Sequence, residues 1–227
     1  MSSPIALKAK NSLRKLLISF HQKASHDNRV ETLSNIFAEM INGLQTEQDQ
    51  IRCLDIGCGD MTLAEKISAK TDKQLVWSCI DIHELPDDLK ADPKWSKYQM
   101  FDGQNIPFAD GEFEIAIIVD VLHHDLKNAE HLVQEAARVS KRILIKDHYE
   151  YGFYSRTMLK LMDFVGNWAY GVEIPRKYFS IVQFKNLISA SKLKICKEIR
   201  NIKLYDRVPM VQKILSEKWQ FIALIEK

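Results

Sequence analysis

From Ile51 onward, short apolar runs alternate with amphipathic stretches. The runs IRCLDI, LVWSCIDI, KYQMF, EIAIIVDVL and RILIKDH are rich in β-branched residues, and helical patterns at 61–70, in a short piece near 85–91 and at 126–140 fall between them. Strands of this kind, linked by helical crossovers, build a mostly parallel sheet covered on both faces. The pattern therefore predicts a doubly wound α/β fold. Upstream lie two amphipathic helical stretches, near 6–24 and 29–44, and the polar linker QTEQDQ. The alternation stops after His148. Residues 149–179 hold nine of the chain's 21 aromatic residues and read as an inserted cap, in which RTMLKLMDF supplies a packing helix. A helix near 180–191 follows, then the apolar segments LKICKEIRNIKLY and KWQFIALIEK, joined by a loop with Pro209. Parallel neighbours need a dozen or more connecting residues, so these two segments are expected to form an antiparallel hairpin.

A chain of 227 residues with 46% hydrophobic content supports one good-sized core. The expected plan is a single domain over 1–227 with a seven-stranded sheet: N-terminal helices at 1–46, a core at 51–148, the cap at 149–179, and a C-terminal helix and hairpin at 180–227. The net charge of +2, from 32 basic and 30 acidic residues, argues against nucleic acid as the main partner. Both ends are more basic than the middle, which reads as solvated faces, with contact to an acidic membrane surface or RNA as the alternative. The four cysteines, Cys53, Cys58, Cys79 and Cys196, form no metal-binding spacing and imply a reduced, cytoplasmic setting. No apolar run reaches the roughly 18 residues of a membrane span. The acid-poor start resembles a transit peptide, but Leu13, Leu16, Leu17 and Phe20 at helical spacing fit a packing helix better.

In doubly wound sheets, ligands bind outside the carboxyl ends of the strands. Four such ends carry an acid here: Asp55, Asp81, Asp102 and Asp120. The first strand runs into LDIGCGDMTL, where Gly57 and Gly59 flank Cys58. The third glycine of a dinucleotide loop is absent, and so is the Gly-Lys-Ser/Thr of a phosphate loop. Asp81 lies 22 residues after Gly59, close to the spacing at which an acid holds ribose hydroxyls. A rim lined with acids repels pyrophosphate but suits a ligand carrying an ammonium and a sulfonium.

The motifs LDIGCGD, CIDIHE and FDGQNIPFADGEFEIAIIVDVLHHD together resemble the class I S-adenosylmethionine-dependent methyltransferases, especially the broad small-molecule group that includes the quinone-biosynthesis enzymes. The resemblance covers about residues 51–148 and implies a Rossmann-like methyltransferase fold. It also implies S-adenosylmethionine as cofactor, with S-adenosylhomocysteine as product. It puts Asp55, Gly57, Cys58 and Gly59 around the methionine part and Asp81 on the ribose. Ile82, Gly103 and Gln104 or Asn105 then lie along the adenine, with Asp102 near its amino group and Asp120 at the rim. Met61 stands where the family often has a third glycine.

Methyl transfer needs alignment of the partners, exclusion of water and a base where the acceptor is neutral. His123 and His124 follow the fourth strand and His148 the fifth, and all three are candidates for that base. If the fourth strand reaches that far, only one of the two adjacent histidines faces the pocket. Tyr151, Tyr154, Trp168 and Tyr170 are candidates to cover an apolar or aromatic small-molecule acceptor, and Arg176 to hold a polar end of it. No metal is expected. O-methylation of such a molecule is the leading expectation. C- or N-methylation, RNA methylation and a non-catalytic binding protein are the alternatives.

Overall fold

The computed structural model describes residues 26–46, 48, 50–167, 175–204 and 215–227. The expected helix near 6–24, the loop at Pro209 and the acceptor candidates Trp168 and Tyr170 lie outside them. The described elements run in the order α1 (Asp27–Asn42), β1 (Gln50–Ile56), α2 (Thr62–Ser68), β2 (Gln74–Asp81), β3 (Tyr98–Met100), β4 (Phe113–Val119) and α3 (Ala129–Val139). After these come β5 (Ser140–His148), α4 (Phe153–Asn167), α5 (Ile181–Ala190), β6 (Lys194–Arg200) and β7 (Gln220–Glu226).

One seven-stranded sheet takes the order β3-β2-β1-β4-β5-β7-β6. The first five strands pair in parallel, while β7 runs antiparallel to both β5 and β6, the hairpin pairing expected, although the connection over 201–219 is long enough for a crossover. The order reverses between β1 and β4, which is where a doubly wound sheet opens a crevice for a ligand. Alternation along β4 divides the core. Ala116 and Ile118 face a cluster completed by Val133 and Ala136 of α3 and Phe184 and Ile188 of α5. Ile115 and Ile117 face Leu33, Phe37 and Ile41 of α1 and Ile67 of α2. Strands buried on both sides need apolar residues at nearly every position, which is why the sequence shows runs rather than alternation.

The helix expected near 85–91 is a turn, followed by a short 3-10 helix at Pro93–Lys97. Proline explains the break. Pro93 keeps Asp92 extended, at ψ 124°, and the Asp92 side chain then caps the new turn by accepting from Lys94 N at 2.9 Å. At α5, Ser180 and Gln183 form a reciprocal capping box, with Gln183 N donating to Ser180 Oγ at 3.2 Å and Ser180 N to Gln183 Oε1 at 2.9 Å. Ser180→Ala is expected to cost about 1 kcal/mol of stability, read as a lower urea midpoint at unchanged slope.

Candidate functional site

The β1–α2 turn is pinned to the end of β2. Gly57 N and Cys58 N donate to Ile80 O at 2.8 and 3.2 Å, and Gly59 N donates to Asp81 Oδ2 at 3.0 Å. Met61, the position where a glycine was expected, keeps a left-handed backbone at φ +61° and is 1% exposed. Its side chain packs with Ile67 and Cys79, so burial of a large apolar group offsets the strain. Asp55 is 3% exposed. Burial first, then the charges of Asp81 and Asp60, push its pKa up to about 7, and no basic group offsets them among the described residues. Ile82 is 56% exposed and stands beside Gly103, whose added Cβ would lie 3.1 Å from Ile82 Cγ2. Asp102 shapes its own loop, accepting from Gln104 N, Asn105 N and Asn105 Nδ2 at 2.8, 2.7 and 2.8 Å. These bonds hold its pKa below the usual carboxylate value.

Across the switch point lies a buried ionic network. The fourth strand ends at Val119, and a 3-10 turn at Leu122–His124 replaces the strand continuation, so His123 and His124 do not alternate between sheet faces. His123 is buried; His124 is half-buried, its ring centroid 4.3 Å from that of His123. Asp120 has a left-handed backbone at φ +56°, a conformation that aspartate tolerates better than most residues. Its carboxylate accepts from Lys146 Nζ at 2.5 Å and pairs with Arg29 from the first turn of α1. A cation at a helix N-terminus opposes the helix dipole, so the pairing with Asp120 accounts for Arg29 being there. Burial disfavours the Asp120 charge, but Lys146 and Arg29 outweigh it and hold the carboxyl well below its ordinary pKa.

Sequence reasoning placed Asp120 in an acid-lined rim. In the structure its charge is already compensated by two protein cations, so the acidity left for a ligand comes from Asp55 and Asp81. Lys146, Asp147 and Arg29 were missed altogether. Lys146 is 0% exposed and Asp147 is 0% exposed. Their signal was present in the KDH run at the end of a strand flanked on both sides, where any ionised group must find a partner.

His123 Nδ1 donates to Asp147 Oδ1 at 2.6 Å, and Asp147 also accepts from His148 N at 2.7 Å. Burial works against the charged ring of His123. The Asp147 carboxylate, then Asp163 and Asp120, outweigh that and raise its pKa. His148 goes the other way: burial, then Lys146, lower its pKa. Lys146 Nζ sits 3.3 Å from His148 Nε2. From the cap, Asp163 of α4 brings Oδ2 to 3.6 Å from His123 Nε2 and accepts from the Tyr178 hydroxyl. Tyr178 is 1% exposed, with its ring 5.3 Å from that of His123.

The structure thus gathers His123, His124 and His148 with Tyr178. The acceptor candidates Tyr151 and Tyr154 are 54% and 60% exposed, and Arg176 is exposed, so none of the three is folded over the histidines.

Donor atoms of Asp120, His123, Asp147 and His148 lie within 4.8 Å of one another, a set that could hold a metal ion. The charges argue against one. Lys146 and Arg29 already compensate the Asp120 carboxylate, so a divalent ion would enter a cluster that contains two cations.

Residues 54–143 match the family described as "Methyltransferase domain". No curated protein matches the chain in sequence. Among solved structures the chain is similar to a SAM-dependent methyltransferase from Methanosarcina mazei, at 16% identity and TM-score 0.57, covering 83% of this chain and 96% of that one. It is also similar to the 1,6-didemethyltoxoflavin-N1-methyltransferase of Burkholderia thailandensis, solved with 1,6-didemethyltoxoflavin and S-adenosylhomocysteine bound. That likeness has 14% identity and TM-score 0.58, covering 100% of this chain and 91% of that one. A chain from the complex of the Haloferax volcanii Trm112 methyltransferase activator with a methyltransferase matches at 12% identity and TM-score 0.60, covering 100% and 98%. At these identities the likeness is one of fold.

Proposed function

We propose that this chain is a class I S-adenosylmethionine-dependent methyltransferase, a reading supported by the methyltransferase-domain match over residues 54–143, and that it methylates a small apolar or aromatic molecule on oxygen. The observation that carries this reading is a contact. A Cβ on Gly57 would lie 2.3 Å from Val121 Cγ2, so the glycine turn abuts the segment that leads directly to His123. A cofactor-binding turn and a proton-handling cluster therefore share one rim of the sheet.

The residues fit S-adenosylmethionine. Asp55 is a buried carboxylate with no basic group offsetting its charge among the described residues, suited to an ammonium. Asp81 closes the glycine turn and keeps lone pairs for hydroxyls. Exposed Ile82 offers an apolar surface for an adenine ring, with Gly103 beside it and Asp102 fixing the loop. When bound, the cofactor supplies an electrophilic methyl group on a sulfonium. Around it the chain's own groups orient the acceptor, exclude water beneath α4 and take up the acceptor's proton at the histidine cluster. Tyr151, Tyr154, Trp168, Tyr170 and Arg176 are proposed to meet the acceptor as it enters. We place the enzyme in the cytoplasm, supported by its four free cysteines. Among the described residues no helix is long and apolar enough to cross a membrane.

Calorimetry with S-adenosylhomocysteine tests the reading. The ligand's ammonium selects ionised Asp55, whose pKa is about 7, so binding releases protons in acidic buffer. Affinity is expected to rise with pH, by up to about tenfold per unit below pH 7, and to level off above it. Asp55→Asn is expected to weaken binding and flatten this profile. Tight NADH or ATP binding with no heat from S-adenosylhomocysteine would remove the reading.

A further inference from the structure

Two buried ring nitrogens have no hydrogen-bond partner among the described residues, His123 Nε2 and His148 Nδ1. Their neighbours set them apart. Lys146 Nζ is a donor, so the His148 Nε2 that it faces at 3.3 Å is the acceptor, and the ring proton of neutral His148 belongs on Nδ1. That nitrogen points into carboxylates, 3.3 Å from Asp120 Oδ1 and 3.6 Å from Asp147 Oδ1. His148 therefore has no lone pair to offer an acceptor.

His123 is held the opposite way. Asp147 takes the Nδ1 proton, so when the ring is neutral its lone pair is on Nε2, directed at the cap.

On the methyl-transfer reading above, we propose that His123 Nε2 removes the acceptor's proton, that Asp147 is its positioning residue, and that the acceptor is a hydroxyl compound such as a phenol. Tertiary amines and thioethers have no such proton. In the balanced step the acceptor's oxygen bonds to the methyl carbon as the carbon–sulfur bond breaks, the electron pair staying on the sulfur that leaves as the neutral thioether S-adenosylhomocysteine. The O–H bond breaks and its proton moves to Nε2, so the one positive charge passes from sulfonium to imidazolium and the product is a neutral ether. The 3.6 Å between Nε2 and Asp163 leaves no room for an oxygen between them, so the acceptor must displace the Asp163 carboxylate and, with it, the Tyr178 hydroxyl. Asp163, with 13% of its side chain exposed, then returns to pair with the imidazolium and offers the proton a route to water.

The groups facing His123 are Asp147 and His148 from β5, Asp163 from α4, Tyr178 near the end of the cap, Asp120 just after β4 and His124 beside it. The acids outnumber the bases around this ring, which fits a pKa above the ordinary histidine value. Catalysis is then expected to increase with pH through that pKa.

The test is nitrogen-15 imidazole spectroscopy on the full chain loaded with S-adenosylhomocysteine, from about pH 5.5 to about pH 9, with His123 and His148 assigned from His123→Gln and His148→Gln. Expected are a neutral His148 with its proton on Nδ1 throughout, and a His123 that titrates above about pH 6.5 to the Nδ1–H form. Asp147→Asn should move the His123 midpoint downward. With a panel of simple phenols, His123→Gln should lower turnover by about 10²–10⁴-fold. The pH–rate midpoint should follow the spectroscopic one in Asp147→Asn, which a merely structural aspartate would not cause. A neutral His123 carrying its proton on Nε2, unchanged turnover in His123→Gln, or stoichiometric metal held by this cluster in the purified protein would each overturn the proposal. Retained S-adenosylhomocysteine binding alongside such a result would leave the cofactor reading standing; lost binding in the wild type would remove both.

Discussion

Lys146→Met will lower the stability of the protein by about 3 kcal/mol, read from the urea midpoint at unchanged slope. Methionine matches the length and apolar stem of lysine, so the loss is not one of volume. What disappears is the ammonium 2.5 Å from Asp120 Oδ1, in a position with 0% exposure. Asp120 is then left with Arg29 alone, and His148 Nε2 loses its donor. An uncompensated charge at a largely buried site costs more than the intact pair contributes, because little water reaches Asp120, whose side chain is 17% exposed. The double variant Lys146→Met/Asp120→Asn should therefore recover more than half of the loss, although it removes one more ionic group. Simple additivity of the two single effects would show that the groups are not coupled. Lys146 and burial together depress the His148 pKa, so in Lys146→Met the His148 midpoint should rise.

Much of the sheet could be read from residue pattern alone, because burial on both faces demands apolar runs at β1, β2, β4 and β5; the antiparallel C-terminal pair is not dictated by its connection, which at 201–219 is long enough for a crossover. The glycine turn was equally plain, since its residues are adjacent in sequence. Its exact backbone was not: Met61 adopts the left-handed conformation without being glycine, and only the packing around Ile67 and Cys79 explains why. The ionic network stayed hidden for a different reason. Arg29 and Asp120 are 91 residues apart, and Asp120 and Lys146 are 26 apart, so no local spacing links them. Lys146, Asp147 and His148 read as a polar strand end meeting solvent, and only the cap and the flanking β7 make them buried. His148 was a candidate base because it ends the fifth strand, at the start of the cap; the geometry engages its Nε2 with lysine and leaves the Nε2 of buried His123 without a hydrogen-bond partner among the described residues. The aromatic cap split in a way that composition cannot show, with Tyr178 carried to the histidines and Tyr151 and Tyr154 left at the surface.

Gly57→Ala is the second change expected to have a large effect, about 2–4 kcal/mol of stability together with a loss of S-adenosylhomocysteine affinity of about 100-fold or more. Two costs combine. The backbone stands at φ +75°, where a Cβ is crowded by its own chain, and that Cβ would also lie 2.3 Å from Val121 Cγ2. Neither partner can easily retreat: Gly57 N is bonded to Ile80 O at 2.8 Å, and valine has few rotamers to choose from. Gly59 separates the two costs. It has φ +52° but nothing within 4 Å of an added Cβ, so Gly59→Ala should carry only the backbone strain, about 1 kcal/mol. Adding Val121→Ala to Gly57→Ala should relieve the clash and restore part of the stability, while the same change beside Gly59→Ala should restore nothing. If Gly57→Ala binds S-adenosylhomocysteine as the wild type does, this turn does not hold the cofactor. The contact with Val121 would then be a packing feature rather than the joint between cofactor and base. Affinity and urea midpoint measured on the same four variants decide between these outcomes, because only a turn that both holds the ligand and presses on Val121 loses the two together and regains them together.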